Sequence, residues 1–199
     1  MGKILGIILV IIIVSFGACA TPSAPPPVAP TDWSADGIIS AEEYLDEAKY
    51  DDFEIYWVSD EQNIFVGMRA KTTGWVAVGF GSTEKMKGAD VVFGFVLEGE
   101  TFIYDLFCTG RYGPHPEDME LGGSYDILAF GGKEERGYTT IEFARALSTG
   151  DEYDNELMSG ENPILWSYGK EGRDELPPSM SADKHASRGY GEIIISPAR

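Results

Sequence analysis

A methionine and a histidine in separate loops are the residues with the most specific chemistry in this 199-residue chain. Met86 lies in the polar stretch 81–88, between two apolar runs, where it has no neighbouring apolar stripe to join. His185 lies in the long polar segment 169–189, just before the last apolar run. A thioether and an imidazole are both metal ligands. A loop methionine more often fills a packing gap, however, and a single histidine is more often a surface polar group, so position alone leaves both interpretations open.

Other reactive arrangements are missing from the sequence. It contains no GxSxG, HExxH or CxxCH motif, and the glycines around Gly79 and Gly81 lack the Lys-Ser/Thr pair of a P-loop. Only two histidines are present, His115 and His185, which excludes a multi-histidine zinc or copper centre. A run of carboxylates at 151–156 (DEYDNE) offers the ligand type that Ca²⁺ prefers, but its spacing is not that of an EF-hand loop. We interpret that run as a solvated acidic face, with a calcium site as the alternative.

In the parts of the chain that would position Met86 and His185, apolar residues recur with a period of two, which is the period of a β-strand. Apolar residues alternate or run together in nine short segments between residues 53 and 196, separated by turn residues. This pattern predicts an all-β protein, an antiparallel immunoglobulin-like β-sandwich of about nine or more strands with long loops at one end. One helix is predicted at 40–48, where Ser40 and Glu43 have the spacing of a capping box.

The composition is acidic, with 33 Asp and Glu against 15 Lys and Arg and a formal charge of −18. Nucleic acid is therefore excluded as an expected partner, because phosphate binding depends on clustered basic side chains. The two cysteines cannot form a disulfide framework or a four-thiolate metal site. Cys108 falls in an apolar strand, where we interpret it as a small buried hydrophobe.

The first residues have the features of an export signal. Lys3 is the only charge before residue 32, and the apolar run 4–16 is followed by small residues. That run is shorter than the roughly 18 residues of a transmembrane helix, although an uncleaved anchor remains an alternative when small residues to position 20 are counted.

The end of this run, Phe16-Gly17-Ala18-Cys19, resembles a lipobox, in which the cysteine is lipidated. A Pro-rich spacer follows it. We expect 1–18 to be the export signal, 19–31 the lipidated cysteine and tether, and 32–199 the folded domain. The protein would then be extracytoplasmic and anchored to the cell membrane as a lipoprotein.

The region around Met86 resembles the DOMON domain family. Residues 74–90 (GWVAVGFGSTEKMKGAD) contain a Gly-Trp-led strand, a Met-bearing loop and a Gly-Ala-Asp that enters the next strand, and 185–189 (HASRG) precede the final strand. The resemblance covers roughly 32–196. Further matches, in chain order, are Tyr104-Asp105, Pro116-Glu117-Asp118, Arg145-Ala146-Leu147 and Asp151 with Asp154.

The haem-binding branch of this family, which includes the cytochrome domain of cellobiose dehydrogenase, holds a b-type haem between a methionine and a histidine. Those positions match Met86 and His185, so the resemblance implies non-covalent haem b with these two residues as iron ligands. His115 is the rival imidazole, but it lacks the Arg-Gly that follows His185. Lys87, Lys184 and Arg188 flank the implied ligands, where they would either pair with the haem propionates or be solvated surface charges.

Such ligation fills both open positions of the iron, which suits single-electron transfer and leaves no position for O₂. We therefore expect an electron-transfer module rather than a self-contained catalyst. Its partner would be a redox protein or small electron acceptor, with a basic docking patch that matches the acidic surface. Four apolar side chains are expected either to form the walls of the haem slot or to belong to the core: Phe80, Val92, Phe93 and Phe95.

The alternative interpretation is a haem-free β-sandwich binding module on a surface lipoprotein. In that case Trp33, Trp57 or Trp166 would bind a sugar or another small ligand.

The predicted lipid anchor can be tested at Cys19. Each CH₂ of an attached acyl chain contributes about 0.8 kcal/mol of membrane affinity. We expect Cys19→Ser to move the protein from the membrane fraction to the soluble fraction, or to leave an uncleaved precursor, as measured by fractionation and mass spectrometry. A soluble wild-type protein whose mature N-terminus lies elsewhere would reject the anchor.

Overall fold

The computed structural model describes residues 33–82, 85–174 and 185–196. The predicted export signal, lipidation site at Cys19 and tether lie outside the described residues. No helix within the described ranges is long and apolar enough to cross a membrane. The strands and the single short helix are, in chain order, β1 (Asp46–Tyr50), β2 (Phe53–Ser59), β3 (Asn63–Ala70), β4 (Val76–Phe80), β5 (Asp90–Leu97), β6 (Glu100–Phe107), α1 (Asp118–Leu121), β7 (Ile127–Glu135), β8 (Tyr138–Ala146), β9 (Gly160–Gly169) and β10 (His185–Ile195).

The ten strands form two five-stranded antiparallel sheets. The first sheet has the order β1-β2-β3-β8-β7, and the second has the order β10-β9-β4-β5-β6. Inward-facing apolar side chains of both sheets form one core, for example Ile64, Val66 and Met68 on β3 and Val78 and Phe80 on β4. The all-β antiparallel sandwich predicted from the sequence is therefore confirmed. The nine short apolar segments of the sequence correspond to β2 to β10.

The helix predicted at 40–48 is wrong. Residues Asp46–Tyr50 instead form β1, which pairs with β2. The local capping contact exists, because the Ser40 N–H donates to Glu43 Oε2 at 2.9 Å, but it stabilises a turn. Pairing with β2 gives the backbone N–H and C=O groups of this segment hydrogen-bond partners. It also places Tyr50 against Trp166, with the two rings stacked and their centroids 5.6 Å apart. These tertiary contacts outweigh a local helix signal that spans only two turns.

The segment 33–44 covers the outer face of the first sheet. Trp33 and Tyr44 pack there against Val58 and Phe65, and the Trp33 Nε1–H donates to the Tyr44 hydroxyl at 2.9 Å. Gly67 on β3 makes this close approach fit, because a Cβ at that position would lie 2.6 Å from Ile39 Cδ1.

Glu142 on β8 fixes the same segment. Its Oε2 accepts hydrogen bonds from the N–H groups of Asp36, Gly37 and Ile38 at 3.1, 2.6 and 3.2 Å. Its Oε1 accepts one from the Tyr44 hydroxyl at 2.7 Å. Burial raises the pKa of Glu142 to about 7. One buried carboxylate thus satisfies four donors from a segment that has no strand partner there.

We expect Glu142→Ala to lower the free energy of unfolding by about 2 to 4 kcal/mol, because buried donors lose their acceptor. Glu161→Ala on β9, where the carboxylate is exposed, is the control and should change it by no more than about 0.5 kcal/mol. Urea unfolding of both variants measures the difference. Equal effects at the two positions would contradict the role given to Glu142.

Candidate functional site

The second sheet is apolar on its outer face as well as on its inner face. We name the buried group there the outer cluster; it consists of Trp75, Ala77, Ala89, Val91, Phe93, Phe95, Leu106 and Cys108. The outer face of an antiparallel sheet is commonly polar and solvated. Here the connections before β5 and after β6 lie over it, where the Gly88 N–H donates to the Cys108 carbonyl and the Cys108 N–H to the Ala89 carbonyl, both at 2.8 Å. Cys108 is buried, as expected.

The four apolar side chains proposed as haem-slot walls divide between the two faces of this sheet. Phe80 and Val92 belong to the core between the sheets, whereas Phe93 and Phe95 belong to the outer cluster. Only the second pair therefore lies on the face that carries the site.

Met86 packs against the outer cluster, contrary to the expectation that it has no apolar neighbours. Its N–H donates to the Arg111 carbonyl at 3.4 Å, and its carbonyl accepts from the Ala89 N–H at 3.0 Å. Arg111 lies in the loop after β6, distant in sequence from Met86. The backbone contacts hold the methionine at the edge of the covered region, half-buried.

A cavity of about 390 Å³ opens on this face, beside β9 and β10. Its volume lies within the range of about 300 to 1,000 Å³ that is typical of ligand sites. The structure brings Met86 and His185 together in its wall. The lining residues are Lys85, Met86, Tyr112, Leu165, Trp166, Ser167, His185, Arg188, Gly189 and Tyr190.

His185 is the first residue of β10, rather than a loop residue before it as expected. It pairs with Gly169, and the register shifts between His185 and Ser187. Such irregularities often redirect a side chain beside a functional site. The imidazole meets the Trp75 ring edge-on, with centroids 5.3 Å apart and planes at 81°. Because Trp75 is 1% exposed and packs on Phe93, it is a rigid support for the histidine.

Gly189 on β10 pairs with Trp166 on β9. A Cβ at Gly189 would lie 2.5 Å from Trp166 Cζ2 and 2.9 Å from Nε1, so any other residue would need the indole to move. The indole lies on the core face of the sheet, where it packs against Phe53 and Tyr50. Leu165, the neighbour of Trp166 on β9, faces the opposite side, which carries the cavity.

Two cationic side chains line the cavity, Lys85 and Arg188. Arg188 was one of the three cations expected to flank the ligands. Lys85 lines the wall where Lys87 was expected, and Lys184 lies outside the described residues. The only feature of the sequence that could have indicated a role for Lys85 is that it directly precedes Met86.

His115, the rival imidazole, is not among the residues that line the cavity. It is 8% exposed, and its Nε2 has no hydrogen-bond partner among the residues described. Burial lowers the pKa of His115, and the nearby His185 lowers it further. The two imidazoles are thus close enough to interact electrostatically, but only His185 faces the cavity.

We expect His115 to titrate below its ordinary pKa of 6.5 in the folded, ligand-free protein. The reason is that burial disfavours the charged imidazolium, so a lower pH is needed to protonate it. NMR titration of the ring proton measures the midpoint, and the urea-unfolded protein supplies the reference. A folded midpoint at or above the reference would contradict the burial described here.

The acidic run 151–156 is not a solvated face throughout, which corrects the expectation. The side chain of Asp154 is 3% exposed and lies 3.6 Å from Arg145 Nη2. The adjacent Asn155 donates from Nδ2 to the carbonyls of Phe80 and Gly88, at 2.8 and 2.7 Å. This loop therefore connects the two ends of the β4–β5 connection that carries Met86.

These features define a β-sandwich whose outer apolar face is covered by loops around a ligand-sized cavity. The family model for the DOMON domain matches residues 49–169, so the chain belongs to the DOMON domain family. Met86 lies inside the matched region, and His185 lies beyond it.

Two solved structures share this fold. The cytochrome b domain of pyranose dehydrogenase from Coprinopsis cinerea superposes with a TM-score of 0.54 and 12% identity, over 71% of this chain and 76% of that one. The cytochrome domain of cellobiose dehydrogenase from Myriococcum thermophilum gives 0.51 and 11%, over 72% and 75%. Because the sequence identity is this low, the likeness to these two structures shows a shared fold and nothing more.

A curated relative is the DBH-like monooxygenase protein 1 of Mus musculus, which is 27% identical over 124 residues, 62% of this chain and 19% of that protein. The chain spans between 15% and 21% of the length of the curated relatives that it matches. The matching region is therefore a module in those proteins.

Proposed function

We propose that this DOMON domain binds haem b non-covalently and transfers electrons, with Met86 and His185 as the iron ligands. The observation that carries the proposal is that both side chains line one cavity, although they are 99 residues apart in the sequence. The cytochrome domains that share the fold support the same assignment.

The residues of the cavity fit the proposed group. Met86 and Leu165, which pack against the outer cluster, supply an apolar wall. Lys85 and Arg188 supply donors and positive charge for carboxylates such as propionates. The sequence has no CxxCH, so nothing in it provides thioether attachment.

Haem held by Met86 and His185 would supply single-electron transfer, because a thioether and an imidazole together would leave the iron no open position for O₂. The protein's part is to hold these ligands. Backbone hydrogen bonds on both sides of Met86 fix its loop, and the buried Trp75 ring orients His185. The outer cluster excludes water from the side of the cavity on which Met86 packs.

The test is reconstitution of the purified protein with haemin, followed by visible spectra and redox titration. We expect the wild type to give the sharp bands of six-coordinate low-spin haem when reduced. Met86→Ala should change the spectrum and lower the potential, because a thioether ligand favours the ferrous state. His185→Ala should lose most of the bound haem.

Two control variants make this test specific. Met158→Ala removes a methionine that is 64% exposed, and should leave spectrum and potential unchanged. His115→Ala removes the other imidazole and should retain the haem. A wild type that binds no haem, or variants at 86 and 185 that both keep the wild-type spectrum, would overturn the proposal.

The haem-free binding module loses most of its proposed contact residues. Trp57 is buried in the core, with its Nε1–H donating to the Ile194 carbonyl at 3.0 Å. Trp33 packs on the outer face of the first sheet and donates to Tyr44. The Trp166 ring packs in the core between the sheets, against Phe53 and Tyr50.

The cellular setting is part of the proposal. The sequence features at 1–31 support export and membrane attachment through Cys19. The charge of −18 supports a redox partner with a basic docking patch, because opposite charge accelerates encounter. In this setting the domain passes electrons to that partner and is not itself a complete catalyst.

A further inference from the structure

We propose that a buried group of carboxylates, Asp90, Asp105 and Asp154 with Asp118 beside them, binds a Ca²⁺ ion. One carboxylate oxygen from each of the first three residues lies within 4.8 Å of the others. Oxygens on opposite sides of a Ca²⁺ ion are about 4.6 to 5.2 Å apart, because Ca²⁺–O distances are 2.3 to 2.6 Å. The spacing of the three carboxylates therefore matches ligands around one such ion.

Four separate elements contribute to this group. Asp90 is the first residue of β5, Asp105 lies on β6, Asp118 begins α1, and Asp154 lies in the connection between β8 and β9. The residues Asp90, Asp105 and Asp118 are 0%, 3% and 1% exposed, and the Asp154 side chain is 3% exposed. Carboxylates are rarely buried to this degree unless they are paired or coordinate a metal.

Five of the eight carboxylate oxygens in the group accept no hydrogen bond from the residues that the structure describes. Asp90 Oδ1 and both oxygens of Asp118 and Asp154 are buried without a hydrogen-bond partner among the residues that the structure describes. The nearby cation is Arg145, which contacts Asp90 Oδ2 and approaches Asp154. One guanidinium therefore faces four carboxylates. The unpartnered oxygens are an observation separate from the clustering, and they indicate a missing positive charge.

Burial raises the pKa of Asp90 to about 6, of Asp105 to about 7 and of Asp118 to about 8. Neighbouring carboxylates raise these pKa values further, whereas Arg145 lowers those of Asp90 and Asp105. Because metal ligands must be deprotonated, Ca²⁺ binding at this group would release protons.

The donor set favours Ca²⁺ over other divalent ions. It consists of oxygen alone, whereas Zn²⁺ sites generally use cysteine or histidine. Mg²⁺ requires near-ideal octahedral geometry with shorter bonds and usually retains several waters, for which a site this buried has little room. Ca²⁺ accepts six to eight oxygens in irregular arrangements, so carboxylates from several elements suit it.

Occupancy of this site would also affect the loop that carries Met86. Asn155 follows Asp154 directly and donates to the carbonyls of Phe80 and Gly88 on either side of that loop. An ion that fixes Asp154 therefore also fixes Asn155. The calcium inference itself does not depend on haem, and its test uses the protein without haem.

The test is a Ca²⁺ titration of the full-length protein after it has been stripped with EGTA. We expect stoichiometric binding by calorimetry. Ca²⁺ at about a hundredfold excess over its Kd should raise Tm by about 5 to 10 °C relative to EGTA. Mg²⁺ at the same concentration should produce a smaller shift. Absence of Ca²⁺ binding by the stripped wild type, with equal Tm in EGTA and Ca²⁺, would overturn the proposal.

Two variants locate the ion. Asp105→Asn removes one ligand charge and should abolish the Ca²⁺-dependent shift in Tm. Glu152→Gln removes an exposed carboxylate from the same loop as Asp154 and should keep the full shift. Asp154→Asn replaces the first variant if circular dichroism shows that it does not fold. Retention of the shift in the ligand variant, or an equal loss in Glu152→Gln, would place the ion elsewhere and reject this site.

Discussion

A guanidinium buried between the two sheets fixes one end of the sandwich. Arg145 on β8 of the first sheet contacts Asp90 on β5 of the second, and both side chains are almost fully buried. The Arg145 Nη2–H also donates to the Asn155 carbonyl at 3.3 Å. Because an unpaired buried charge is costly, each partner requires the other in place. The start of β5, the acidic loop and, through Asn155, the connection that carries Met86 all take their positions from this pair.

The second constraint is that one sheet has two apolar faces. The inner face of β5 forms part of the core, while Val91, Phe93 and Phe95 on its outer face require another cover. Met86 and Cys108, from the loops before β5 and after β6, pack with these side chains. The cavity lies between the same loops, at Met86 and Tyr112, and strands β9 and β10. The candidate site is thus formed where loops meet an apolar sheet face.

The period-two pattern was sufficient to predict nine strands and the sandwich, because alternation reports which side of a strand is buried. It did not reveal β1, where a capping motif is present but pairing with β2 decides the conformation. The inward turn of Asp154 could not be predicted either, since its neighbours Asp90 and Asp105 come from distant strands. The family resemblance pointed to Met86 and His185, but the contact between His185 and Trp75 depends on strand register, which a single sequence does not specify.

The described domain begins with Trp33 packed on the outer face of the first sheet, while the cavity opens on the outer face of the second. Face-to-face sheets are about 10 Å apart, so the whole thickness of the sandwich separates the two. In the proposed tethered form, the chain would therefore enter the domain on the face opposite the cavity. The tether would not have to pass the mouth of the cavity, so a redox partner could approach the site without contacting the tether.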